Sequence, residues 1–350
     1  MPEISPCAIV RDDRFKNHDT GFGHPENPER LTAIHSVLDG EDFRDRLHPV
    51  PPRAATPEEL GAIHTARYIE YVASTAGREH CYLDPDTHTS PLSYETALLA
   101  AGGLLSLIEK IWSGEFKNGF AFVRPPGHHA EANRAMGFCL FNNIAVGAAH
   151  LRRRLGAERV LIVDWDLHHG NGTQHSFWQD PSVLYFSIHQ YPHYPGTGHY
   201  DDVGGGPGEG FNINIPVSSR TKDNVYIQAF QRLLRPVALQ FEPDMVLVSA
   251  GFDAHYCDPL GGVEVTERGY RIMTRILMEI AQECCGGKLA FTLEGGYDPQ
   301  ALKSSVREVL EQLSKGNPSG RGADDAVADG PMVHEVERVI SVQRKYWDLP

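Results

Sequence analysis

The chain has 350 residues, 41% of them hydrophobic, which is ample for a sizeable core. Its formal net charge of -14 argues against nucleic acid as a partner, since such surfaces carry basic patches, and would suit a cationic substrate. The sequence shows no apolar run of about 18 residues, no signal-peptide pattern and no C-x-x-C pairing among its six cysteines, so we expect a reduced, cytoplasmic protein without membrane contact.

In chain order, Ala8-Ile9-Val10 is a short strand, and Asn27-Pro28 opens a helix through about Leu38, with Arg30 in its first turn. From Pro49 to about Ala76 proline-rich loop alternates with short helices, and residues 77–92 are polar and read as loop. Leu98 to Trp112 is apolar at helical spacing, with Gly102-Gly103 suggesting close packing. Gly119–Val123 is a strand running into Arg124-Pro125-Pro126-Gly127-His128-His129-Ala130. Neighbouring side chains diverge on an extended backbone, so both histidines reach one site only across a tight turn. A His-His pair by itself is more often a surface feature or a satisfied part of the core. Gly137-Phe138-Cys139 then precedes an apolar helix from about Asn142 to Arg153.

Arg159–Val163 reads as a buried parallel strand leading into Asp164-Trp165-Asp166-Leu167-His168-His169-Gly170-Asn171-Gly172. If the strand continues, Asp164, Asp166 and His168 share one face, and an Asp oxygen and a His nitrogen two residues apart can ligate a divalent metal, zinc above all. A polar strand end with capping aspartates explains this stretch about equally well. Val183–Ser187 is another strand, followed by a loop rich in aromatic, His and Gly residues from His189 to Gly210. Phe211–Val217 reads as a strand and Asn224–Phe241 as a helix. Asp244–Ala250 is a strand ending in Gly251-Phe252-Asp253, and Thr266 caps a helix to about Cys285. Lys288–Leu293 is a strand ending in Glu294-Gly295-Gly296-Tyr297, followed by a helix over Gln300–Leu313. Residues 316–331 read as a Gly-, Asp- and Pro-rich loop before a final amphipathic helix from Val333 to Trp347. Successive βα units imply a mainly parallel sheet covered by helices. Four strand ends then carry His128-His129, Asp164-x-Asp166-x-His168, Asp253 and Gly295-Gly296-Tyr297. Three protein ligands with an open position suit catalytic zinc, histidines can act as acid and base, and a tyrosine can stabilise an oxyanion.

These motifs, with His24-Pro25-Glu26-Asn27-Pro28-Glu29-Arg30, Pro195-Gly196-Thr197-Gly198 and Ser249–Ala254, resemble the histone deacetylase family of zinc amidohydrolases from about His24 to Leu313. The resemblance implies an arginase/deacetylase-like fold in one domain spanning 1–350. Asn171, where class I members carry Asp, and Asp258-Pro259-Leu260-Gly261-Gly262 resemble the class II branch. The loop from His189 to Pro195 is short for the family, Tyr194 stands where phenylalanine is common, and the chain resembles a stand-alone, bacterial-type member. The implied zinc ligands are Asp166, His168 and Asp253. His129 is implied as general base beside Asn171, with His128 beside Asp164 as its charged partner and Tyr297 as oxyanion donor. Gly137, Phe138, Tyr194 and Leu260 would line an acyl-lysine tunnel. A potassium ion would use Asp164, Asp166, His168, Ser187 and Ile188, and Arg30 matches a product-channel arginine. The implied substrate is an acetylated lysine in a peptide or protein. Alternatives are an acetylated small amine such as a polyamine, or a non-catalytic acyl-lysine binder. A two-metal, arginase-type hydrolase is disfavoured, and a homo-oligomer remains open. Polyamine-specialised members place an acidic gatekeeper after the Asp-Pro dipeptide, where this chain has Leu260.

Overall fold

A computed structural model describes residues 6–315 and 330–350. The first half of the chain forms β1 (Cys7–Val10), α1 (Glu29–Leu38), β2 (Leu47–Pro49), α2 (Pro57–Leu60), α3 (Ala66–Ala73), β3 (Cys81–Asp84), β4 (Thr87–Thr89), α4 (Ser93–Trp112), β5 (Asn118–Ala121), α5 (Asn143–His150), β6 (Val160–Asp164) and α6 (Asn171–Ser176). The second half forms β7 (Val183–Gln190), β8 (Asn212–Val217), α7 (Asp223–Ala229), α8 (Arg235–Phe241), β9 (Met245–Ala250), α9 (Glu267–Cys285), β10 (Leu289–Leu293), α10 (Pro299–Leu313) and α11 (His334–Gln343).

Eight strands make one sheet in the order β2-β1-β5-β10-β9-β6-β7-β8, and every pairing in it is parallel. Each residue of β1, β5, β6, β9 and β10 is buried, which is why these segments read as continuous apolar runs without alternation. Helix α4 packs on β1, β5 and β10, and α5 on β6 and β9, while α9 packs on β9 and β10 and contacts α7, α8 and α10. The chain passes from β5 to β6 through α5, yet β10 and β9 lie between these strands in the sheet. The carboxyl ends of β5, β10, β9 and β6 are therefore neighbours, and open parallel sheets bind ligands at such ends.

Several boundaries differ from the sequence reading. Residues 77–92 are not all loop, because β3 and β4 pair as an antiparallel hairpin across Pro85-Asp86, where Asp84 Oδ1 accepts the Asp86 amide at 3.2 Å. The face that β4 buries is made by Thr87 and Thr89, so the ribbon leaves no hydrophobic alternation to read. Helix α4 begins at Ser93, five residues before its apolar stretch, and α6 and β2 are too short to show a period. Helix α1 starts at Glu29 with Pro28 in the cap position, while Asn27 Oδ1 accepts the Glu29 amide at 3.0 Å. The helix predicted over Asn224–Phe241 is α7 and α8 joined by a π-helical turn at Phe230–Leu234. Of the predicted loop at 316–331, residues 316–329 lie outside the described residues. Among the described residues no helix is long and apolar enough to cross a membrane.

Candidate active site

The end of β6 divides its carboxylates between two tasks. The Asp166 amide donates to Asp164 Oδ1 at 3.2 Å and the His168 amide to Asp166 Oδ1 at 2.9 Å, so the backbone turns out of the strand there. Asp164 faces His128, while Asp166 and His168 meet Asp253 from the end of β9. Asp166, His168 and Asp253 are all buried, with ligand atoms within 4.8 Å of one another. His168 Nδ1 lies 3.2 Å from Asp166 Oδ1 and 3.0 Å from Asp253 Oδ2. One Nδ1–H cannot satisfy both carboxylates, and two buried carboxylates sharing one imidazole cost several kcal/mol unless compensated. Three donors each ~2.0–2.1 Å from one tetrahedral zinc ion would stand ~3.3 Å apart, so the donor set and its spacing fit zinc. Backbone groups hold the cluster open, since the Leu167 amide donates to Asp253 Oδ1 at 2.9 Å and the Gly295 amide to Asp166 Oδ2 at 2.8 Å. A Cβ at Gly295 would stand 2.2 Å from Asp253 Oδ2.

The turn after β5 brings both histidines to this cluster, their ring centroids 4.0 Å apart. A carboxylate from the end of β10 makes the turn tight: Glu294 accepts the amides of Gly127 at 2.7 Å and His128 at 3.2 Å. His128 Nδ1 donates to Asp164 Oδ2 at 3.0 Å, which also accepts the Tyr185 hydroxyl at 3.0 Å. His129 Nδ1 donates to neutral Asn171 Oδ1 at 2.8 Å. Burial opposes charge on His128, but Asp164 and Asp166 outweigh it and hold the imidazolium well above its ordinary range. Burial, then the charges of His128 and His168, push His129 well below that range. The two adjacent imidazoles are thereby pushed apart, His128 toward its charged form and His129 toward its neutral one.

A cavity of about 250 Å³ reaches this floor between Phe138, Tyr297, Tyr194, His193, Leu260 and Asp86. Gly137 (φ 56°) is required where it stands, because a Cβ there would meet His129 Cδ2 at 2.3 Å. Phe138 also has a left-handed backbone (φ 68°), held by its amide on the Thr87 hydroxyl at 3.1 Å. The Tyr194 ring stands edge-on to His129 at 5.2 Å. Tyr297 is held from behind, its amide on Asp258 Oδ2 at 2.6 Å and the Arg30 guanidinium 4.9 Å over its ring. Burial raises its phenol well above the usual range, so it remains a donor.

A family model described as a histone deacetylase domain matches residues 24–313. The chain belongs to the histone deacetylase family. It is 44% identical over 98% of its length to histone deacetylase 15 of Arabidopsis thaliana, covering 63% of that protein. It is 39% identical over 99% of its length to histone deacetylase HDA1 of Saccharomyces cerevisiae, covering 54%, and 37% identical over 98% to polyamine deacetylase HDAC10 of Danio rerio, covering 52%. The chain thus spans half to two-thirds of these curated relatives. The crystal structure of the HDA15 HD domain matches it with a TM-score of 0.89 at 41% identity, covering 98% of this chain and 95% of that one. The fold is therefore the arginase/deacetylase fold of this family.

Within that deacetylase fold the structure brings together Asp166, His168, Asp253, His128, His129, Asp164, Asn171, Gly137, Phe138, Tyr194, Leu260 and Tyr297. Arg30 is not among the cavity's lining residues; it sits behind Tyr297, donating to the carbonyls of Gly296 at 2.6 Å and Glu294 at 2.5 Å and to Glu26 Oε1 at 3.0 Å. Ser187 is in register with Asp164 on the neighbouring strand, and its hydroxyl lies 2.9 Å from His189 Nδ1. The sequence reading overlooked four residues. Glu294 pins the histidine turn, and Asp258 accepts the amides of both Tyr297 and Leu260, the latter at 3.0 Å. Asp86 lines the mouth, and His193 stacks on His168 at 5.2 Å with Nε2 3.1 Å from the Leu260 carbonyl. A carboxylate directly after an apolar strand was the available signal for Glu294; His193 and Asp86 sit on loops and left none.

Proposed function

We propose that the protein is a zinc-dependent amidohydrolase of class II type, acting in the cytoplasm as a single domain to remove acyl groups from N-ε-acyl-lysine side chains. The observation that carries this reading is the Asp166–His168–Asp253 cluster at the floor of a narrow cavity, with the His128–Asp164 and His129–Asn171 pairs beside it. The three ligands would hold a zinc ion, which when bound supplies a Lewis acid for the acyl carbonyl and lowers the pKa of water. Neutral His129, its Nδ1–H engaged by Asn171, offers Nε2 to take the proton of the attacking water. The Tyr297 hydroxyl donates to the carbonyl oxygen as negative charge gathers there. The leaving amine takes its proton from the His128–His129 pair, and Asp164 stabilises the imidazolium. Phe138 and Tyr194 flank a four-methylene stem whose burial contributes ~0.8 kcal/mol per methylene. By family resemblance we assign a potassium ion to Asp164, Asp166, His168, Ser187 and Ile188, and a product-channel role to Arg30.

Acetylated polyamines are the second reading, favoured by one observation: the Asp86 carboxylate at the mouth could meet a distal ammonium. Against it stands Leu260, an apolar side chain where an acidic gatekeeper would pair with that ammonium. A competition between an acetyl-lysine peptide, acetylputrescine and acetylspermidine, compared by kcat/KM, tests the choice. We expect the peptide to be preferred. Leu260→Glu should shift the ratio toward acetylspermidine by about 5- to 100-fold, the value of an ion pair of about 1–3 kcal/mol. Higher kcat/KM for either polyamine with the wild-type protein replaces the lysine reading by the polyamine one.

A further inference from the structure

The base of this site leans on an amide, and an amide has two ends. If Asn171 presented its NH2 to His129, Nδ1 would have to accept, the ring proton would sit on Nε2, and no lone pair would face the site. Nothing in Asn171 itself selects the useful orientation. Its neighbours do: Nδ2 lies 2.5 Å from Glu131 Oε1, 3.3 Å from the His129 carbonyl and 3.4 Å from Met136 Sδ, all acceptors. Glu131 is the one charged group among them. It is no free surface carboxylate, with its side chain 15% exposed and its two oxygens 2.8 and 3.0 Å from His175 Nδ1. Asn171 and His175 lie four residues apart on α6 and so share a face, between which the Glu131 carboxylate is clamped. The hydrogen bond to Glu131 raises the proton affinity of His175, which keeps a donor on that side of the clamp.

We propose that Glu131 is a positioning residue that fixes the Asn171 amide, and through it the Nδ1–H tautomer of His129, supplying from one residue further out the carboxylate that the Asn171 position lacks. The role of this tautomer in turnover rests on the hydrolase reading above; the tautomer itself does not. Two measurements on the full chain separate them. Imidazole nitrogen NMR of the wild-type protein should show His129 protonated at Nδ1, and Glu131→Leu should give a mixture or the Nε2–H form. An unchanged tautomer in Glu131→Leu overturns the proposal whatever the activity.

The second measurement is reciprocal rescue, read as kcat and KM on an acetyl-lysine peptide. Glu131→Leu removes the acceptor, and Asn171→Asp places a second carboxylate against Glu131, so each alone should lower kcat about 10- to 100-fold at nearly unchanged KM. In the double variant the aspartate no longer has an amide to orient and no longer faces a like charge. Its kcat should exceed that of either single variant by about fivefold or more. Losses that simply multiply, as two unrelated structural injuries would, count against the proposal. Zinc content and thermal unfolding of all four proteins show whether a low kcat reflects an unfolded variant, and the tautomer readout then decides. An inactive wild-type protein whose His129 tautomer still responds to Glu131→Leu sinks the hydrolase reading and upholds the positioning role.

Discussion

Asp253→Asn should abolish turnover and zinc binding while leaving the metal-free protein as stable as the wild type, or more so. Asp253 and Asp166 are both buried and both reach toward His168 Nδ1. Without a cation, burial and the neighbouring Asp166 disfavour the charge on Asp253 and push its carboxyl above the usual range. The isosteric amide removes that charge, and its oxygen can still accept the Leu167 amide now bound at 2.9 Å. Zinc reverses the order, because a ligand that binds only the folded state stabilises it by about 4 kcal/mol at a thousand times its Kd. Thermal unfolding in chelator should therefore rank the variant at or above the wild type, and in excess zinc clearly below it. Loss of the metal's several kcal/mol of transition-state stabilisation predicts a fall in activity of about 10³-fold or more. Full zinc occupancy in Asp253→Asn, or in Asp166→Ala, would show that the ligand assignment is mistaken.

How much of this was legible beforehand follows from where each residue sits. Strands buried on both faces leave a continuous apolar run, so β6, β9 and β10 could be found and their terminal Asp164, Asp253 and Glu294 placed at one sheet edge. The order β5-β10-β9-β6, which makes those ends neighbours, is a property of crossover connections that local patterning does not encode. The tight turn that both histidines needed does exist, but its cause is Glu294, remote in the chain from His128. The lining of the cavity was the least legible part. Asp86 comes from a polar hairpin without periodicity, and His193 from an irregular loop, so only tertiary packing places them beside Leu260. Glu131 carried no signal in the sequence; its carboxylate is held where α6 presents Asn171 and His175 on one face.

Tyr297→Phe should lower kcat on an acetyl-lysine peptide about 10²- to 10³-fold, the usual cost of one oxyanion donor. The substitution removes one hydroxyl and leaves its supports in place: the Asp258 carboxylate on the Tyr297 amide, the Arg30 guanidinium over the ring, and the edge contact with Phe138 at 6.0 Å. Folding and zinc content should therefore match the wild type, and KM should move little, because the hydrogen bond strengthens only as charge develops on the carbonyl oxygen. Substrate electronics provide the sharper test. A trifluoroacetyl amide carries an activated carbonyl that needs less help from a donor, so Tyr297→Phe should lose far less on it than on the acetyl peptide. A purely structural Tyr297 would depress both substrates equally. Equal losses on the two substrates, or a kcat near wild type on the acetyl peptide, would remove Tyr297 from the chemistry and leave it as tunnel wall alone.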